Sequence, residues 1–121
     1  VDFTFCWIAG RKFIELSYTV RDKDAIATSG IRVIGRDPSS DEVVSWSFDS
    51  TGGLGRAHWK LLKKGYLVES HGVLADGTPV SSTEILSNVD GKRFTWQSMN
   101  RTVGGQKLHN TKPLTLTRKS P

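Results

Sequence analysis

Along most of the chain, apolar and polar residues change places at every step. That period belongs to extended strands, whose side chains point alternately to two faces. From Asp2 to Ile8, Phe3, Phe5 and Trp7 share one phase against Thr4 and Cys6. Lys12 to Arg21 aligns Ile14, Leu16, Tyr18 and Val20. Ala25 to Gly35 continues the pattern until Gly30 interrupts it, which predicts a bulge or bend. Val43 to Asp49 aligns Val44, Trp46 and Phe48. Leu54 to Leu62 is ambiguous. A strand groups Gly55, Ala57, Trp59 and Leu61; a helix pairs Leu54, His58 and Leu61 ahead of a capping Gly65. The neighbouring strands and the Gly52-Gly53 start favour the strand. Tyr66 to Leu74, Pro79 to Val89, Phe94 to Val103 and Leu114 to Arg118 complete the series.

Short turns separate these runs: Ala9-Gly10-Arg11, Asp22-Lys23-Asp24, Thr51-Gly52-Gly53, Ala75-Asp76-Gly77 and Asp90-Gly91-Lys92. The last has the Asp-Gly step that most strongly signals a hairpin. Ser39 and Glu42, in the loop Arg36 to Glu42, have the spacing of a helix-capping box. The segment that follows, VVSWSFDS, has a period of two, which rejects the helix. A loop from Gly104 to Pro113 precedes the final run. About nine strands without a helix predict an all-β fold, an antiparallel meander closing into a barrel, as one domain over 1–121. Closure removes edges that would otherwise pair with other chains.

Composition agrees and narrows the function classes. The chain has 121 residues, 36% hydrophobic and 24% charged, the makeup of a folded domain. No apolar stretch approaches the ~20 residues of a membrane-spanning helix. The net charge is +5, but the cations are scattered over turns, such as Arg11-Lys12, Lys63-Lys64 and Lys92-Arg93. With no basic stripe and no spanning segment, we expect neither nucleic acid nor a membrane as partner. One cysteine, Cys6, excludes an internal disulfide and a four-thiolate zinc site. It reads as a small strand residue, against the alternative of an intermolecular disulfide. The chain does not open on Met, so we expect a processed chain or a fragment.

The segments IGRDPSSDEVVSWSFDSTGGLGRAHW, GVLADGTPVSSTEILSNVD and FTWQSMNRTVGG carry a resemblance. From about Trp7 to Arg118 the chain resembles the β-rich C-terminal region of bacterial SnoaL-like, ketosteroid-isomerase-like proteins of the SgcJ/EcaC type. The resemblance implies a calycin-like barrel, akin to lipocalins and fatty-acid-binding proteins, of bacterial and exported origin. It implies no chemistry, because the isomerase-like site would belong to a cone-shaped α+β domain absent here. Family members carry strand sequence ahead of the position matching Phe3. Its absence predicts an open seam, whose edge would pair with a second copy.

Candidate chemistry is sparse. Trp7, Trp46, Trp59 and Trp96 fall on the apolar phases, with Phe48, Tyr66 and Phe94. They form either an ordinary core or the lining of a cavity for an apolar or ring-shaped ligand. Ser70, Glu84, Ser98 and Asn100 share an inward phase in one register, where they would orient a ligand's polar end; Glu84 also fits a register facing water. The ligand-binding candidates are Trp46, Trp59, Tyr66, Glu84, Trp96, Ser98 and Asn100. His58, His71 and His109 show no metal-ligand spacing. Gly52-Gly53-Leu54-Gly55 lacks the Lys-Ser/Thr of a phosphate loop. We therefore expect no catalytic residue, metal or cofactor. Three functions stay open: a non-enzymatic barrel that binds a small apolar ligand or serves as an accessory domain; a structural protein self-assembling through its N-terminal edge; and a small isomerase- or cyclase-like enzyme.

Overall fold

Each run of alternating residues forms a strand, including the ambiguous fifth. A computed structural model describes residues 2–23, 25–87, 90 and 92–118. The strands are β1 (Asp2–Ile8), β2 (Phe13–Asp22), β3 (Ala25–Asp37), β4 (Glu42–Asp49), β5 (Leu54–Leu62), β6 (Gly65–Val73), β7 (Pro79–Ser87), β8 (Arg93–Val103), β9 (Gln106–Lys107) and β10 (Leu114–Arg118). Parts of the expected turns, Asp24 and Gly91, lie outside the described residues, as does Val89, the expected end of the seventh run. The two-residue β9 lies within what the sequence presents as a loop.

Strands β1 to β8 pair antiparallel in chain order. The chain then returns to the seam. Its amides bond back along the β8 edge, Leu108 to the Arg101 carbonyl and Thr111 to the Ser98 carbonyl. This delivers β10 between β8 and β1. It pairs antiparallel with β8, from Leu114–Trp96 to Thr117–Arg93, and parallel with β1 at Asp2–Thr117 and Phe3–Arg118. β1 to β8 and β10 thus close a nine-stranded barrel, and β9 extends the far end of β8 outside it. The expected open seam is corrected: β10 fills it, because the loop before it runs back along the β8 edge.

The inner phase supplies the core. Phe3, Leu16, Ala57, Val68, Leu86, Phe94 and Leu116 are buried together, with Phe5, Tyr18, Trp59 and Trp96 packed against them. Phe3 meets Phe5 edge-on at 5.3 Å and Phe94 at 4.8 Å between ring centroids, so aromatics join the two sides of the seam. Burying one such side chain stabilises the fold by about 1.5–3 kcal/mol. Val44 is also fully buried, but in the opposite phase, beside Gly35 and His58.

Gly30 is not a bulge. β2 and β3 stay in register through it, and their shift falls between Val20 and Arg21. Its lack of a side chain serves a close approach instead: a Cβ there would sit 2.5 Å from the Tyr18 hydroxyl and 2.6 Å from the Phe48 carbonyl oxygen. The turns share one chemistry. Asp37, Asp49, Asp76 and Asp90 each accept the backbone amide two residues on, from Ser39, Thr51, Thr78 and Lys92.

Candidate binding cavity

A cavity of about 360 Å³ opens at the barrel end that carries the β4–β5, β6–β7 and β8–β9 turns. Its space arises from the inner phase of neighbouring strands. Gly55 and Gly72 are cross-strand partners, so this part of the wall has no side chains. Beside them Ser47 on β4 and Val80 on β7 continue the same row. Val103, paired with Val80, extends the row onto β8, and Trp96 and Leu108 add further apolar surface. Leu54 and Leu74 border the mouth and are themselves exposed.

The lumen beneath is polar. Arg32 on β3 reaches across to Glu84 on β7, donating from its two terminal nitrogens to the two carboxylate oxygens at 3.0 and 3.3 Å. The side chains are only 17% and 10% exposed. Such two-point pairing fixes orientation as well as charge. The Arg32 guanidinium also lies 5.9 Å from the centre of the Trp59 ring. Tyr18 completes this layer. Burial pushes its phenol up, opposed by Arg32 and assisted by Asp49 and Glu84. Asp49 is held below its ordinary value, chiefly because the Thr51 hydroxyl donates to it; burial opposes this and amides of its turn add to it. The Ser70 hydroxyl oxygen is buried with no partner among the described residues.

Of the expected ligand-binding residues, the fold brings Glu84, Trp96 and Ser98 to the cavity. Glu84 takes the inward of its two registers. Trp59 and Tyr66 share the inner phase but lie toward the other end, their rings 5.8 Å apart edge to face. The Trp59 indole N–H donates to the buried Ser45 hydroxyl at 2.8 Å. That bond puts Ser45 on the inner phase of β4, and Ser47 with it. Trp46 must therefore point outward, where the Arg56 guanidinium lies 5.9 Å from its ring centre. Its place in the ligand site is corrected, because β4 turns its polar phase inward.

Asn100 is corrected too. Between the pairs Ser81–Thr102 and Thr83–Met99, β8 holds one residue more than β7. Asn100 sits in this bulge at φ 51°, exposed, with its amide donating to the Asn110 side chain. The bulge breaks the alternation that would have aimed it inward. The sequence reading missed Tyr18, Arg32, Ser47, Asp49 and Arg101, all on the cavity wall. A signal existed for Arg32, since a carboxylate inside a barrel needs a cation.

His58 is exposed on the outer wall, its Nδ1 3.2 Å from Glu42, and His71 is exposed at the cavity's edge. Among the described residues no group of three or more His, Cys, Asp or Glu is placed to hold a metal ion. The chain matches no protein-family model, no curated protein and no solved structure.

Proposed function

We propose that the barrel is a non-enzymatic binding module for a small, largely apolar ligand with a polar end. The observation that carries this reading is the cavity itself. Its volume of about 360 Å³ falls within the range of small-molecule sites, and its lining is the usual mixture of apolar surface and a few converging polar groups. The ligand's apolar body lies against Trp96, Val80 and Val103, and its polar end faces Tyr18 and the Arg32–Glu84 pair. Both oxygens of Glu84 are engaged by Arg32, which favours a binding role over proton transfer. The calycin-like class belongs to this proposal, supported by the meander order and the cavity at one end; the likeness to the β-rich region of SnoaL-like proteins belongs to it on the sequence segments alone.

Titration with Nile red, followed by tryptophan fluorescence and dye emission, tests the reading. Saturable binding of one dye per chain is expected. Trp96→Ala weakens it about tenfold, through loss of an aromatic face. A linear, unsaturated response, or equal binding by the variant, overturns the proposal.

A further inference from the structure

The barrel end opposite the cavity carries the turns that follow β1, β3, β5 and β7. Here inner-phase residues run past the core into water. Leu61 is 79% exposed, Trp7 59%, Val43 42% and Tyr66 37%; the adjoining Leu62 is 41% exposed. The β1–β2 and β5–β6 turns beside them are basic, whereas the β3–β4 turn carries Asp37, Asp41 and Glu42. Arg11, Lys12, Lys63 and Lys64 are exposed, and none has a carboxylate partner among the described residues. Most acids at this end have a cation, a histidine or turn amides as neighbours, while Glu15 on β2 forms no ion pair among the described residues. Asp37, Asp41 and Glu42 face Arg56, Arg36 and His58, and Glu69 faces Lys60. Asp90 accepts the amides of Lys92 and Arg93 in its own turn.

We propose that the barrel docks through this end on a bilayer surface containing anionic lipid, lying on it without crossing it. Protruding leucines at a hairpin tip reach the acyl boundary, Trp and Tyr suit the headgroup level, and unpaired lysines are drawn to anionic headgroups. A protein partner fits less well. Lysine is depleted from protein interfaces, and leucine is seldom among their dominant residues. Among the described residues no helix is long and apolar enough to cross a membrane, and docking requires none. The expectation of no membrane partner rested on the scattered cations and the missing spanning segment, and this proposal departs from it. Docked this way, the cavity mouth at the other end faces the aqueous side.

Flotation with vesicles tests the assignment, using phosphatidylcholine alone and phosphatidylcholine with about one-third phosphatidylglycerol. The chain is expected to float with the mixed vesicles, not the neutral ones, and to be released by roughly 0.5 M salt. Lys63→Gln and Lys64→Gln each weaken binding about fivefold, and Leu61→Ser about tenfold. These sites are exposed, and circular dichroism confirms that the variants keep the parent's fold. Equal flotation with neutral vesicles, no flotation, or variants that float like the parent overturn the proposal. Retention on heparin or polyglutamate without flotation assigns this end to another polyanion and overturns it as well.

Discussion

Arg32 and Glu84 meet across the lumen, joining β3 to β7 through two hydrogen bonds between strands that are not neighbours in the sheet. Removing one partner leaves the other charge buried and unpaired, whereas replacing both with apolar side chains removes the burden altogether. Arg32→Ala is expected to lower stability by about 3–5 kcal/mol, and Arg32→Met with Glu84→Leu to recover most of it. Urea denaturation of the two variants and the parent measures both. A double variant as unstable as the single one contradicts this account.

Tyr18 and Gly30 form a second dependency. The phenol rests where a Gly30 side chain would have to go, with the Phe48 carbonyl close behind. Gly30→Ala therefore displaces Tyr18 at a cost of about 1–3 kcal/mol, typical of an overfilled interior. Thermal or urea unfolding gives the cost. A loss below a few tenths of a kcal/mol would show that the phenol yields freely.

Hydrogen bonding fixes Trp59. Ser45 is buried and accepts the indole N–H, so Ser45→Ala leaves that donor without its acceptor. A loss of about 1–3 kcal/mol is expected. Trp59→Phe with Ser45→Ala removes both groups of the bond, and a double-mutant cycle separates the bond from the ring's packing.

The two ends of the pH scale probe different groups. Asp49 has a folded value below its unfolded one, so its contribution is complete above about pH 4 and is lost as the pH falls through the folded value. Asp49→Asn is expected to flatten the acid limb of the stability profile. Tyr18 has a folded value raised above about 10, first by burial. Its contribution is complete below the unfolded value and is lost as the pH rises through the folded one. Phenolate absorbance should show a late component that Tyr18→Phe removes.

These residues also mark how far the sequence could be read. Strands and turns were legible because alternation and Asx chemistry are local. Which phase faces inward was legible for β1 and β2, where one phase holds nearly all the aromatic and aliphatic side chains. For β4 it was not: Val44, Trp46 and Phe48 look like a core, yet Ser45 and Ser47 take the inner side because the lumen there is polar. Asn100 failed for a different reason. A single extra residue in β8 inverts every assignment beyond it, and no residue type announces the bulge. Arg32 went unread because its partner lies more than fifty positions away, so the only signal for it was the need of an inward Glu84 for a cation.

The β1–β10 seam sets the order in which the barrel can assemble. Every hairpin from β1 to β8 joins strands adjacent in the chain, at small entropic cost. The seam alone must bring Asp2 and Phe3 to Thr117 and Arg118, and that large loop closes efficiently only once the ribbon between them has curled. The ring is therefore expected to close last, after the hairpins on either side of it.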